Sequence, residues 1–283
     1  MKLEDWHTHS ELCHHALGNI EDYVVKAINL KMDTIGICDH FPYEFLKNIE
    51  RIPYKEYAMS LEEIEDYLLT AENLKEKYKS NINIRIGFEI DFFENQEPAL
   101  NMHLNKIKDR LDYILGSIHI LNFNDDRGAW GFDDSRFREE YQYYGPDNVY
   151  TEYFKTQQKM LNSTKFDLDI VSHFDLPKKF NNFPNDKEPI ENEVVKTLEL
   201  IKKKDVAMEI NTGGLRKDVK QQYPTKEIIQ RMYEHDIPVL LGSDAHSPES
   251  IAYEFKRIIN MLKEIGYSQL AHFNKRKRIF FEI

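Results

Sequence analysis

The 283-residue chain holds only two cysteines, Cys13 and Cys38. Two thiols make no disulfide framework, so a reducing, cytoplasmic setting is expected. No apolar run approaches eighteen residues, which excludes a membrane-spanning helix, and no membrane partner is expected. The opening Met1-Lys2-Leu3-Glu4-Asp5 lacks the apolar core of a secretory signal. Basic residues are also short: 38 Lys and Arg face 49 Asp and Glu, a net charge of −11. Binding to nucleic-acid phosphates needs the opposite sign, so no nucleic-acid partner is expected. The one basic run, Lys275-Arg276-Lys277-Arg278, reads as a solvated helix-to-strand connection. Gly-x-Ser-x-Gly, Walker and Gly-x-Gly-x-x-Gly motifs are missing, which argues against nucleophile-elbow hydrolases, P-loop enzymes and dinucleotide binders.

What remains is a soluble globular composition, 41% hydrophobic and 31% charged. Short apolar runs alternate with amphipathic stretches. The runs 3–7, 34–38, 84–90, 113–118, 168–172, 206–210 and 239–242 read as strands covered on both faces. A last run, 278–282, reads as closing the sheet or pairing at its edge. Between them, Ser60-Leu-Glu-Glu63 is a capping box, followed by Leu61, Ile64, Leu68, Ala71, Leu74 and Tyr78 at helical spacing. Ser247-Pro248 reads as the start of another helix, with Ile251, Phe255, Ile258, Leu262 and Ile265 as its buried stripe. Strand–helix alternation of this kind means parallel strands with right-handed crossovers. Length and repeat number favour one α/β barrel domain spanning 1–283. Segments 41–59 and 121–147, long and rich in aromatics, Gly and Asp, are expected as lids.

Histidines follow the strands. "DWHTHSELCHHALG" begins at Asp5 and carries His7, His9, His14 and His15. His40 follows Asp39 after the second strand; Glu89 closes the third, with Asp91 two residues on. His119 follows the fourth and His173 the fifth, with Asp175 nearby. Glu209 and Asn211 lie on or just past the sixth, and Asp244 and His246 follow the seventh. Eight of the eleven histidines sit at or just past a strand end; His103, His235 and His272 are expected at the surface. In a parallel α/β fold all these ends meet on one face, where active sites form. Imidazoles and carboxylates packed so closely are costly without a cation. The donor mixture suits Zn, Mn or Fe rather than Ca or Mg. About nine candidates are too many for one ion, so two or three divalent metal ions sharing a carboxylate are expected. Paired ions are a standard device for phosphoester hydrolysis, because they activate water and spread phosphoryl charge. Cys13 reads as a small packed thiol. Gly213-Gly214 is a turn whose N–H groups could meet a phosphate.

In combination, H-x-H, D-H, E, H, H and D-x-H after successive strands resemble the polymerase-and-histidinol-phosphatase (PHP) superfamily. "CHHALG", "GSIH", "SHFDLPKKF", "EINTGGLRK" and "GSDAH" are similar to its histidinol-phosphate phosphatase branch. The resemblance covers about residues 5–250. It implies a distorted, TIM-like (β/α)7 barrel and a trinuclear centre. His7, His9, Glu89 and Asp244 would hold one ion. Glu89 would bridge to a second, held also by His119 and His173, and His15, His40 and His246 would hold a third. His15 is chosen over His14 by its spacing from the H-x-H pair. Asp39 would ligate or would orient His40. The implied reaction is hydrolysis of L-histidinol phosphate to L-histidinol and phosphate, in histidine biosynthesis. Glu89, Asp244 and His246 would be catalytic, with His246 a candidate proton donor to the departing alkoxide. The substrate phosphate would meet Arg216 first, with Lys178 and Lys179 behind it.

Three rivals stand beside this reading. One is a nucleotide- or nucleic-acid-directed phosphoesterase of the same superfamily, against which the −11 charge counts. Another is an amidohydrolase-type enzyme, against which Glu89 counts, since that class commonly uses a bridging lysine carbamate. The third is a metal-binding domain without turnover, against which the full ligand set counts. The oligomeric state is left open.

Overall fold

The structure, a computed structural model, describes residues 2–49 and 51–283. Seven parallel strands follow one another in chain order: β1 (Glu4–Asp5), β2 (Thr34–Ile37), β3 (Asn83–Asp91), β4 (Tyr113–Ser117), β5 (Ile170–Val171), β6 (Ala207–Asn211) and β7 (Val239–Gly242). Each pairs in register with the next, for example Ile37 with Ile86 and Glu89 with Leu115. The sheet closes where the chain beyond β1 meets the chain at and beyond β7. Trp6 N donates to Leu241 O at 3.0 Å, His9 N to Ala245 O at 2.9 Å and Ala245 N to His7 O at 3.4 Å. The result is the expected seven-stranded TIM-like barrel.

Helices cover the outside because their apolar stripes need the sheet. Asn19 and Asp22 form a capping box at helix Ile20–Asn29, which buries Ile20, Tyr23, Val24 and Ala27. The capping box at Ser60 and Glu63 is present ahead of helix Ile64–Lys77, as its sequence predicts. Inside the barrel Trp6, Cys38, Tyr113, Leu115, Ile170, Ala207 and Leu240 pack together. Truncating one large apolar member to Ala costs about 2–5 kcal/mol.

Other expectations are corrected. Run 278–282 does not join the barrel. It forms β9 (Lys277–Glu282), antiparallel to an unforeseen strand, β8 (Gln269–Asn274). The basic run is therefore a hairpin turn, not a helix-to-strand connection. This hairpin sends Ala271 and Phe273 into the barrel interior. His272, expected at the surface, is buried with Nδ1 3.0 Å from Glu4. Ser247-Pro248 starts only a short turn, Pro248–Ser250; Ala252 and Glu254 then adopt positive φ, and the α-helix proper is Phe255–Ile265.

Both long connections lie over the C-terminal end of the barrel and are tied to each other. Tyr57 donates to Asp134 at 2.6 Å, and Arg136 pairs with Glu56 at 2.7 Å. Glu140, itself buried, lies between Arg51 and Arg127. Glu50, in the first lid, lies outside the described residues, as does Met1. No described helix is long and apolar enough to cross a membrane.

Candidate metal centre

A cavity of about 440 Å³ opens at the C-terminal ends of the strands. His14, His15, His40, His119, His173 and His246 line it with Glu89 and Asp244. His7 and His9 lie buried beneath. All eight strand-end histidines thus meet in one place.

Three groups share this floor. In the first, His7 Nε2 is 2.9 Å from His9 Nε2 and 3.2 Å from Glu89 Oε2. Asp244 Oδ1 is 3.5 Å from His9 Nε2. In the second, Glu89 Oε1 is 2.9 Å from His173 Nε2 and 3.7 Å from His119 Nε2. In the third, His15 Nε2 is 3.1 Å from His246 Nε2. The His40 ring stacks on His9 at 4.5 Å and lies 5.5 Å from the His15 ring. Glu89 therefore turns one oxygen to the first group and the other to the second.

Carboxylates behind the rings set their orientation. Glu209 Oε1 holds His7 Nδ1 at 2.7 Å, while Oε2 accepts from the His173 backbone N–H at 3.0 Å. A side chain at position 242 would overlap Glu209 Oε1, so Gly242 makes this approach possible. Asp91 accepts from His119 Nδ1 at 2.8 Å and from its backbone N–H at 2.7 Å. Such contacts fix ring tautomers and raise ligand basicity. Asp39 makes no hydrogen bond to the His40 ring; it accepts from Ser10 N at 2.6 Å and Ser10 Oγ at 2.7 Å, and a carboxylate oxygen lies within 4.8 Å of donor atoms of His9 and Cys13. Burial pushes its carboxyl up to about 7.

The donor set fits cations. His15 Nδ1 donates to Cys13 O at 2.7 Å, and His246 Nδ1 to Asp244 O at 3.1 Å. Carbonyls only accept, so each Nδ1 carries the proton and each Nε2 a lone pair. Two lone pairs then face each other at 3.1 Å. Protonation does not relieve this, because burial lowers His15 below its ordinary value and pushes His246 down to about 3. Burial likewise takes His9 to about 3, and His9 Nδ1 has no hydrogen-bond partner. A cation between such nitrogens removes the conflict. On the other side of Glu89, burial opposes charge on His119, but Asp91 and Glu89 outweigh it and raise the ring to about 10. Burial also disfavours charge on Glu89, and His7, His40 and His119 reverse this, holding it well below the usual carboxylate range.

Of the three cations expected at the phosphate, the cavity lining includes Lys179 and neither Arg216 nor Lys178. Arg216 donates to Ser243 O at 2.7 Å and Asp244 O at 2.9 Å. Lys178 is buried against Asp175 at 2.7 Å and Gln222 O at 2.8 Å. Lys179 pairs with Asp133 at 2.8 Å. Unforeseen lining residues are Lys217, Arg136, Glu56, Asp133 and Asp134. The lids supply most of these, and their polar, aperiodic sequences gave no residue-level signal. His14 leans toward the first lid, donating from Nδ1 to Lys55 O at 2.6 Å. Cys13 lies within 4.8 Å of the His15 and His246 donor atoms, and burial raises its thiol, keeping it protonated. The Gly213 N–H is bonded to Asn211 Oδ1 at 2.7 Å and is not offered to the cavity.

Fold and floor together define a parallel α/β barrel with donor groups for more than one metal ion at its C-terminal end. The chain belongs to the PHP domain family, whose model matches residues 5–213. It is 29% identical to the "Probable histidinol-phosphatase" of Deinococcus radiodurans, over 97% of this chain and 98% of that one. It is 25% identical to the "Histidinol-phosphatase" of Bacillus subtilis, over 92% and 99%. A crystal structure from Listeria monocytogenes, provisionally named a histidinol phosphatase, superposes with a TM-score of 0.83 at 28% identity, covering 90% of this chain and 99% of that one. The histidinol phosphate phosphatase of Lactococcus lactis, solved with Zn, L-histidinol and phosphate, shares the fold at a TM-score of 0.77 and 16% identity, over 98% and 99%.

Proposed function

We propose that this chain hydrolyses L-histidinol phosphate to L-histidinol and phosphate. The observation that carries the reading is the convergence of His7, His9, His15, His40, Glu89, His119, His173, Asp244 and His246 on one cavity floor, in a chain similar over nearly its full length to proteins named for this reaction. The cavity volume suits a small phosphomonoester.

These nine residues would hold two or three divalent ions, with Zn, Fe and Mn the fitting classes. Bound ions would supply Lewis acidity toward phosphoryl oxygens and a water acidified toward neutral pH. The chain does the rest. Glu209 and Asp91 hold ring nitrogens in place. Lys179 and Lys217 put positive charge on the wall, where burial and the neighbouring Lys179 depress the Lys217 ammonium. They bind phosphate. The substrate's ammonium and imidazole would share Asp133 with Lys179 and Glu56 with Arg136. Near neutral pH His246 is a lone-pair donor rather than a proton donor, since burial takes it to about 3. A cytoplasmic location goes with this reading, in which both cysteines are free and buried.

The test is phosphate release by the Zn-, Fe- or Mn-loaded protein from L-histidinol phosphate, a panel of phosphomonoesters and single-stranded DNA. The expected result is a kcat/KM for L-histidinol phosphate well above every other substrate. Nucleotide release from DNA, or ammonia release from amide substrates, with an inert histidinol phosphate would overturn the assignment.

A further inference from the structure

The C-terminal hairpin carries an open edge. β8 and β9 pair at six matched positions, from Gln269 with Glu282 to Asn274 with Lys277, without a bulge. Their two-residue turn has Lys275 and Arg276 at φ 49° and 62°. Such a turn makes the flanking Asn274 and Lys277 a hydrogen-bonded pair. At the far end Ile283 N donates to Ser268 O at 3.1 Å. Both ends agree in parity, so residues 277, 279, 281 and 283 turn their backbone groups toward β8. Arg278, Phe280 and Glu282 turn theirs outward. Among the described residues no backbone group meets them.

This edge is apolar in its middle: Ile279 is 56% exposed and Phe280 49%. Natural edges are usually guarded by a proline, a bulge or a central charge, and β9 has none of these. Its charges stand at the two ends. Arg278 is held beside the edge by Asp205, through contacts of 2.7 and 2.6 Å. Glu282 has no ion-pair partner among the described residues.

We propose that β9 is a self-association surface, on which a second copy of the chain pairs its own β9 antiparallel across a two-fold axis. Parity and charge select the register. With the axis at Phe280, the outward residues oppose one another: Phe280 meets Phe280 of the other copy, and Arg278 meets Glu282 of the other copy, twice by symmetry. On the opposite face Ile279 meets Phe281. Shifting the axis by one residue breaks both charge pairs. One six-residue edge is smaller than a standard interface, so the dimer is reversible and concentration-dependent.

Sedimentation velocity of the full chain over a concentration series tests this. The expected result is a monomer–dimer equilibrium. Phe280→Lys sets two ammonium groups against each other on the axis and shifts the protein to monomer, with an unchanged circular dichroism spectrum. Glu282→Arg sets like charges opposed at both ends and weakens the dimer about tenfold. Phe280→Cys checks the register, because directly opposed residues stand at a spacing that a disulfide can bridge. Mild oxidation should cross-link that variant, and should not cross-link the exposed-site control Leu17→Cys. A wild-type chain that stays monomeric throughout would sink the proposal. So would a dimer that survives both charge variants, or Phe280→Cys cross-linking no faster than the control.

Discussion

Glu209 Oε1 lies 2.7 Å from His7 Nδ1, joining β6 to a residue two positions past β1 across 202 positions of chain. The same carboxylate reaches the His173 backbone N–H. Glu209→Gln keeps the shape and removes the charge. Affinity for Zn or Mn should fall about 10–100-fold, measured by chelator competition. An affinity equal to wild type would show that Glu209 does not orient the ligands.

Glu89 faces two groups of histidines with its two oxygens. Glu89→Gln should therefore lose bound metal and phosphatase activity together, activity by more than about 100-fold. Elemental analysis per chain reads the first and phosphate release the second. A variant with full metal content and low activity would leave Glu89 a chemical role but no bridging one.

Lys179 and Arg216 separate by kinetics. Lys179→Ala removes a cation from the cavity wall and should raise KM about tenfold or more while kcat changes less. Arg216→Ala frees the carbonyls of Ser243 and Asp244. It should weaken metal retention and lower kcat, with little effect on KM. A large KM effect confined to Arg216→Ala would reverse the two assignments.

Asp39 links pH to stability. Burial raises its carboxyl from 3.8 to about 7 in the folded chain. The native state thus binds this proton more tightly than the unfolded state does. The contribution is whole below about pH 4, declines as pH rises, and is gone above about pH 7, a loss of up to about 4 kcal/mol. Asp39→Asn should remove that decline in metal-free protein, measured by urea unfolding across the same range. His9 and His246, both lowered, add a slope of opposite sign in both proteins. The difference between wild type and variant therefore isolates Asp39, and identical slopes would refute the assignment.

The barrel strands and their ligands were legible because the two signals coincide in the chain. An apolar run such as 113–118 ends and a histidine, His119, follows at once. The orienting residues Asp91 and Glu209 were visible as strand-end polar groups, but their roles were not, because a role depends on which ring stands opposite. Arg216 misled for the same reason: a guanidinium beside a glycine turn can face a ligand or a carbonyl, and only packing decides. Asp133 gave no signal, since lid sequences have no period to place it, and Lys217 stood unremarked beside Arg216 at the end of EINTGGLRK. β8 was missed because Ser268-Gln269-Leu270-Ala271-His272-Phe273-Asn274 mixes polar and apolar residues without clear alternation. Its buried side chains fill the barrel interior on one face and meet Glu4 on the other.

The bonds that close the cylinder run through the ligand segments themselves: His9 to Ala245 and Ala245 to His7, beside Asp244. Ions held by His7, His9 and Asp244 would therefore brace this joint. A chain stripped of its ions keeps six neighbouring strand pairs but faces electrostatic stress at its seventh joint, so the seam should breathe first. In the metal-loaded protein, melting temperature should rise with ion occupancy, and a chelator should loosen the fold first at this joint.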